Sequence, residues 1–560
     1  MVTVHDEVET KYDADADFQV PGLVELFGPL RGRDGLPDAD GTPWSEGEAA
    51  QHELRAVYYD TVDLRLAASG LTLRRREGGD DGGWHLKVPV PDGARSEVRL
   101  PLEDGADAVP QQLVTMTYAR TAGRPLVPVA RIETQRTVRR LVDPTGRVLV
   151  EVADDRVTAR RLGDAAGAGG DAADAPDGAQ TWREIEVELV DGPRELLAAV
   201  DPLLRERGLV PAASASKLMR TLGVDGGSTA APDAPRPKAS STKAAKAKKA
   251  EQEAKDAERR AARALRRGPA ADVVLDAVGT HVAQIRDQDL LVRLDAPGAV
   301  HAMRVATRRL RSTLTTFEPL FHSTVTRPLT RELRRLAAVL GTARDAEVMG
   351  ERLEAAVAGE EPDRRLGATV ADEVSDQSAQ AYREAHEGVV RALESERYRT
   401  LLDTLEALLT NPPLQDRASG PAAEVLGALV AQTFADLRTA MTEAHSATEA
   451  HERTERLHDA RKAAKRARYA AEAVTPVFGK DARAFGTAME SVQEALGEHL
   501  DSVNTVAHLR ELAQHTSQPS TAFTYGRLHA LEELTAERSR AAADAVWSAA
   551  GKKSLRRWLL

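Results

Sequence analysis

Between residues 226 and 268 the chain cannot build a core. It runs through Gly226-Gly-Ser-Thr-Ala-Ala-Pro-Asp-Ala-Pro-Arg-Pro-Lys-Ala-Ser-Ser-Thr-Lys into a Lys/Arg/Ala/Glu-rich stretch ending near Arg267. Segments without apolar side chains have nothing to offset the entropy of ordering them, so this one is expected to be a flexible basic linker, its last turns a fraying helix. Whatever folds must fold separately on either side: residues 1–225 and residues 269–560. The two sides differ in pattern. The first mixes short alternating runs with Gly/Asp/Pro turns; the second is helical in period almost throughout, with Pro and Gly confined to boundaries such as Pro297-Gly298, Asn411-Pro-Pro413 and Gly420-Pro421.

In the first region, period-2 alternation marks strands at Val4–Tyr12, Leu71–Arg76, His85–Val90, Ser96–Leu100, Arg147–Ala153 and Glu184–Val190. Short turns such as Gly78-Gly-Asp-Asp-Gly-Gly83 favour an antiparallel sheet or barrel, and Gly163–Ala179 reads as a disordered loop. The polar faces are sorted by sign. Glu7 and Glu9 alternate through Val8 with Lys11; Glu184, Glu186 and Glu188 share one face; Arg74 and Arg76 share another, as do Arg95, Glu97 and Arg99. Facing outward, such a sheet is a salt-bridged exterior. Closed with these faces inward, it is a hydrated tunnel whose carboxylates suit a hard divalent cation and whose Arg and Lys suit phosphate oxygens.

These residues resemble the CYTH domain of triphosphate tunnel metalloenzymes. The likeness runs in order through Glu7-Val-Glu9-Thr-Lys11, Tyr59-Asp60-Thr61, Leu73-Arg74-Arg75-Arg76, Leu86-Lys87, Arg95-x-Glu97, Glu151-Val-Ala-Asp154-Asp155, Glu184-Ile-Glu186-Val-Glu188 and Ser216-Lys217. The resemblance implies an eight-stranded antiparallel β-barrel tunnel with flanking helices that cleaves or cyclises triphosphates with Mg²⁺ or Mn²⁺. It implies Glu7, Glu9, Asp154, Glu186 and Glu188 as metal ligands, and Lys11, Arg74, Arg76, Lys87, Arg136 and Lys217 as triphosphate contacts. Glu7, Glu9, Lys11 and Lys87 are the expected catalytic set; Glu97, Arg99, Arg131, Glu151 and Glu184 are secondary members without assigned roles.

The helical region is internally duplicated. His301-x-x-Arg304-x-x-x-Arg308-Arg309-x-Arg311 matches His458-x-x-Arg461-x-x-x-Lys465-Arg466-x-Arg468, and Leu340-Gly341-x-x-x-Asp345 matches Leu496-Gly497-x-x-x-Asp501. At 100° per residue, His301, Arg304, Arg308 and Arg311 fall within roughly 80° of helix circumference, as do His458, Arg461, Lys465 and Arg468. Solvated faces normally mix signs; a same-sign stripe opposes itself by a few tenths of a kcal/mol per pair and points to an anionic partner. Asp345 and Asp501 are expected to cap or pair with motif cations, and Arg309, Lys462 and Arg466 to edge the stripe. The duplicated motif resembles the CHAD domain, which implies two pseudo-symmetric four-helix bundles (about 269–420 and 421–560) that bind inorganic polyphosphate between them. An alternative use of His301 and His458 as metal ligands lacks a second ligand at the right spacing.

Composition sets the remaining bounds. The 560 residues contain no cysteine, which excludes disulfides, thiolate metal sites and thiol nucleophiles. Only 4% are aromatic, so Ala, Leu and Val carry the packing, and few rings flank the basic stripes to stack nucleic-acid bases. The net charge of −11 argues against a polyanion partner until its local distribution is considered. No signal-peptide pattern or long apolar run is present, so a cytoplasmic protein is expected, with association with polyphosphate granules a corollary and no membrane partner. The expected function is metal-dependent hydrolysis of a linear triphosphate, above all tripolyphosphate, beside a polyphosphate-binding helical domain. The competing readings are a non-catalytic polyphosphate-binding or targeting protein and a nucleotide cyclase.

Overall fold

The computed structural model describes residues 3–32, 43–90, 95–102, 108–162, 178–214, 216–223, 263–359 and 370–559. The expected Gly163–Ala179 loop and 226–268 linker lie almost wholly outside these residues; the exceptions are 178–179 and 263–268, of which 263–267 form one helical turn. The chain divides into two compact units, Met1–Ala234 and Pro235–Leu560. No helix among the described residues is long and apolar enough to cross a membrane.

The first unit is an antiparallel sheet curled upon itself. Its strands are β1 (Thr3–Glu7), β2 (Glu9–Asp13), β3 (Ser45–Glu46), β4 (Ala50–Asp60), β5 (Thr72–Glu77), β6 (Gly83–Pro89), β7 (Arg95–Leu100), β8 (Val127–Val142), β9 (Val148–Arg161), β10 (Gln180–Leu189) and β11 (Val210–Pro211). The order is β1-β7-β6-β5-β4-β8-β9-β10-β2-β11. The single run expected at Val4–Tyr12 serves both ends of this order: β1 pairs with β7, β2 pairs with β10, and Val8 between them accepts from the Leu189 amide at 2.9 Å. Counting β1 and β2 as one strand and setting aside the two-residue β3 and β11 leaves eight long antiparallel strands.

Two cores flank the barrel wall. On the outer face, Leu141, Val150, Val152, Ile185 and Val187 pack under α1 (Leu23–Phe27) and α4 (Glu195–Glu206). On the inner face, Ala56, Ala130, Ile132, Val157 and Ala159 pack against Leu218, Met219 and Leu222 of α5 (Lys217–Leu222), which thus fills one part of the interior with apolar side chains. Ser216 caps α5 by accepting from the Met219 amide at 3.2 Å, which sets Lys217 at the helix start, facing the polar remainder of the interior. Tyr59-Asp60-Thr61 has a structural role. Asp60 is fully buried and accepts from the amides of Thr61, Leu66 and Ala67 at 2.7, 2.8 and 2.9 Å, turning the chain out of β4 into α2 (Arg65–Ala68) through Leu64 at φ +57°. Between β7 and β8 lies α3 (Gln111–Thr121).

The second unit is helical. Its first repeat contains α6 (Ala270–Arg293), α7 (Ala299–Thr316), α8 (Ser323–Ala358) and α9 (Val370–Glu394); the second contains α11 (Ala422–Ser446), α12 (Ala450–Ala473), α14 (Lys480–His515) and α15 (Pro519–Ala550). Between the repeats runs α10 (Glu396–Thr410), and the short α13 (Thr475–Phe478) follows α12. The repeats meet where each begins: Ala270 N donates to Gly420 O and Ala422 N to Gly268 O, both at 2.9 Å, so two Gly-Pro corners exchange backbone bonds. The duplicated motif occupies α7 and α12, with Ala306, Leu310, Leu314 and Phe317 of one, and Ala463, Ala467 and Ala470 of the other, buried.

Candidate functional sites: a polar tunnel and a cationic cleft

Strand register assembles the tunnel wall. Glu9 lies opposite Glu188, and Glu188 opposite Glu151; Lys11 lies opposite Glu186; Glu97 lies opposite Lys87, and Arg74 opposite His85. These side chains alternate with core residues and so point the same way. Glu9, Lys11, Arg74, Lys87, Glu151, Glu186 and Glu188, with Glu7, Arg76, Arg95, Arg99, Arg136, Arg140 and Lys217, line a cavity of about 270 Å³, and Glu97 and His85 lie buried behind it.

The charges in it fall into two groups. Around Lys217 they are matched: its ammonium lies 2.9 Å from Asp155, 2.6 Å from Glu184 and 2.8 Å from Glu186. Arg136 makes a two-pronged pair with Asp155 at 2.6 and 2.7 Å, and Lys11 contacts Glu186 and, at 3.1 Å, Glu9. These cations hold the buried Glu186 and Asp155 carboxyls below their usual range despite desolvation.

Elsewhere the pairing is incomplete: Arg76 pairs with Asp81, and Arg99 with Glu7 at 3.5 Å, but other polar atoms are left without partners. The Glu188 side chain has no hydrogen bond or ion pair among the described residues; burial, then Glu7 and Glu9, push its carboxyl up to about 7. Opposed to it is a basic wall in which the Nε atoms of Arg74 and Arg76 are buried without an acceptor. Burial and the neighbouring Arg74 and Arg136 also push the Arg76 guanidinium down. Glu97, fully buried, organises this wall: it contacts Arg74 at 3.5 Å, Lys87 at 3.8 Å, His85 Nδ1 at 3.0 Å, and Arg99. His85, lowered to about 4 mainly by burial, also meets the Asp81 carbonyl oxygen at 2.9 Å. Lys87 in turn contacts Glu7.

A divalent cation fits one of two acidic groups. Asp155, Glu184 and Glu186 bring one oxygen each within 4.8 Å of one another, but ammonium and guanidinium groups already neutralise them. In the second group Glu7 meets Lys87 and Arg99, and Glu9 meets Lys11 at 3.1 Å, while the Glu188 carboxyl has no cationic partner among the described residues and is the one a bound cation would relieve.

Not every expected residue reaches the tunnel. Asp154 faces outward and pairs with Arg183 at 2.7 Å; its neighbour Asp155 takes the inward position, since 151, 153 and 155 share a face. Arg131 is exposed beside buried Ile132, on the outer face. Glu151 lines the cavity and pairs with Arg140 at 3.0 Å. Tyr58, His52, His85 and Arg140 are interior residues that the sequence reading missed, three of them on strands β4 and β8, which it also missed. The inner faces of these strands mix apolar residues (Ala56, Ala130, Ile132) with polar ones (His52, Arg136, Arg140), which blurs the alternation of an ordinary core strand.

In the helical unit the motif explains itself. Arg304 lies over Gly341 and pairs with Asp345 at 3.1 Å; Arg461 lies over Gly497 and pairs with Asp501 at 3.5 Å. The glycine leaves room for the guanidinium and the aspartate one turn later holds it. Arg468 is neutralised by Glu472 at 2.8 Å and Glu490 at 2.7 Å, unlike its expected free state on the stripe, and Arg309 pairs with Glu472 at 3.2 Å. Arg308, Arg311 and Lys465 have no acidic partner among the described residues, and they line a cleft of about 610 Å³ with Lys462 and Arg466 and with Arg327 and Arg334 of α8, which no motif marked. His301 and His458 are exposed on the same helices, and neither joins a metal-type cluster among the described residues.

Two uncharacterised proteins of Mycobacterium tuberculosis, from strains CDC 1551 / Oshkosh and H37Rv, are each 36% identical to this chain over 550 residues, 97% of it and 96% of theirs. Residues 37–222 match the CYTH domain model, and residues 276–510 the CHAD domain model. The chain belongs to the CYTH–CHAD family. Among solved structures, a CHAD domain from the plant Ricinus communis is similar at 26% identity and TM-score 0.40, covering 52% of this chain and 93% of that one. PptA from Streptomyces chartreusis is similar at 23% identity and TM-score 0.42, over 50% and 99%. A Hippeastrum protein described as a putative adenylyl cyclase with a dominant triphosphatase activity is similar at 16% identity and TM-score 0.20, over 39% and 95%. The CYTH unit is thus the curled antiparallel sheet, and the CHAD unit the helical repeat.

Proposed function

We propose that the CYTH unit hydrolyses a linear triphosphate, inorganic tripolyphosphate above all, and that the CHAD unit binds inorganic polyphosphate. The observation carrying the first part is the pair of buried, acceptor-less Nε atoms of Arg74 and Arg76 set against the unpaired Glu188 carboxyl in one small cavity. Arg74, Arg76, Lys87 and Arg99 would take the non-bridging oxygens, Arg with two donors each. Glu7, Glu9 and Glu188 would hold Mg²⁺ or Mn²⁺, which supplies Lewis-acid polarisation of the phosphoryl group. Lys11, Arg136 and Lys217, already matched by acids, would fix the positions of Glu9 and Glu186 more than they add free charge. The apolar packing around α5 keeps that part of the interior dry, which strengthens each of these contacts.

The test is phosphate release from tripolyphosphate, ATP and thiamine triphosphate by folded protein with Mg²⁺ or Mn²⁺, with product identification for cyclic AMP. Turnover of tripolyphosphate is expected, and the Glu7→Gln/Glu9→Gln double variant should keep its circular dichroism while losing ~10²-fold or more in rate. No turnover of any of the three overturns the enzymatic reading. For the CHAD unit, Arg308→Glu with Lys465→Glu should abolish long-chain polyphosphate binding, which the Glu7/Glu9 variant keeps.

A further inference from the structure

One side chain in the CHAD cleft has chemistry that anion binding alone leaves unused. Lys465 lies on α12 without an acidic partner among the described residues, on the wall of the cleft that also carries Arg308, Arg311 and Arg334. The charged groups acting on it are Arg304 and Arg308 from α7, Arg461 from its own helix, and Asp501 from α14; that one acid is itself engaged by Arg461 at 3.5 Å. Burial, and after it the three guanidinium groups, oppose an ammonium so placed and push it down to about 6. The side chain is therefore largely a neutral amine at neutral pH, and a neutral amine among cations is an activated nucleophile. Three residues away on the same helix, Lys462 is the comparison: it edges the same cleft but is exposed and paired with Asp459 at 3.0 Å.

We propose that Lys465 is a site of covalent acylation by acyl phosphates. The arginines of the cleft bind the phosphate end of the donor. The Lys465 Nζ lone pair attacks the carbonyl carbon, the carbon–oxygen bond to phosphate breaks, inorganic phosphate leaves with the electron pair, and the surplus Nζ proton passes to water. The product is an amide that can no longer become a cation. This rests on the cleft being an anion site, as the polyphosphate reading does, but needs only a single phosphate group to bind there.

The probe is acetyl phosphate, incubated with the full-length folded protein at pH 7 and followed by peptide mass spectrometry. Lys465 is expected to be acetylated roughly tenfold or more faster than Lys462. Arg308→Ala should slow Lys465 and leave Lys462 unchanged, while Arg308→Lys, which keeps a cation there, should retain most of the rate. Excess inorganic phosphate should protect Lys465 selectively. Equal rates at the two lysines, or no protection by phosphate, overturn the proposal. Polyphosphate binding is measured separately on unmodified protein, so its failure leaves the Lys465 to Lys462 ratio as an independent result.

Discussion

A carboxyl buried beside two others ionises only when something else supplies positive charge, and Glu188 is in that position. Its raised value, about 7, has a signed consequence. With the carboxyl near its ordinary value when unfolded, the metal-free native state binds more protons than the unfolded state between about 4.5 and 7. This group therefore favours the fold below that window and loses its contribution as pH rises through it. A divalent cation competes with the same proton. The expected outcome is that Mg²⁺ raises the melting temperature of the CYTH unit more at pH 8 than at pH 6, and that Glu188→Gln removes the difference; thermal scans with and without metal at both values check it. An equal shift at both values would detach Glu188 from the metal. At this scale the sequence was legible for Glu7, Glu9, Arg74 and Arg76, whose alternation names their face. It was not legible for Asp154 against Asp155, where two adjacent acids differ only in which face of β9 they occupy.

At the scale of elements, the duplicated Leu-Gly-x-x-x-Asp segments on α8 and α14 are seats for an arginine from α7 and α12 respectively. A Cβ on Gly341 would sit 3.7 Å from Arg304, an ordinary contact, whereas one on Gly497 would sit 2.7 Å from Arg461 Nη2. Alanine is favoured over glycine inside a helix by about 0.8–1 kcal/mol. Gly341→Ala should therefore stabilise the CHAD unit. Gly497→Ala should gain less and should displace Arg461 from Asp501, lowering polyphosphate affinity about fivefold, the worth of roughly 1 kcal/mol. Melting curves and binding titrations of both variants test the contrast. The repeat and its helices were readable because period and spacing are local properties. The neutralisation of Arg468 by Glu472 and Glu490 was less so, because Glu490 arrives from α14. Arg327 and Arg334 join the cleft for the same reason, carried there by the packing of α8 on α7.

At the scale of the whole molecule, each unit has its own core, one built of strands and short helices and the other of long helices. Calorimetry of the full chain should show two transitions that match those of the separately produced units, with tripolyphosphate turnover staying with the first and long-chain polyphosphate binding with the second. A single transition, or activity lost on separation, would show that the units depend on each other. The net charge of −11 is uninformative at this scale because cations and anions are sorted locally.

Composition, periodicity and the two motif sets by themselves determined that there are two folding units, their classes, the repeat, and the identity of most charged residues that meet in each site. These follow from local rules: alternation of two for a strand, 3.6 for a helix, and no core without apolar residues. Only the tertiary structure decided which charges are spent on each other. Lys11, Arg136, Lys217 and Arg468 look like free cations in sequence and are matched by acids from other strands and helices, while Arg308 and Lys465 have no acidic partner among the described residues, and Arg74 and Arg76, each beside one acid, keep a buried Nε without an acceptor. Electrostatic pairing depends on distances of a few ångströms between residues far apart in the chain, and those distances exist only once the chain has closed.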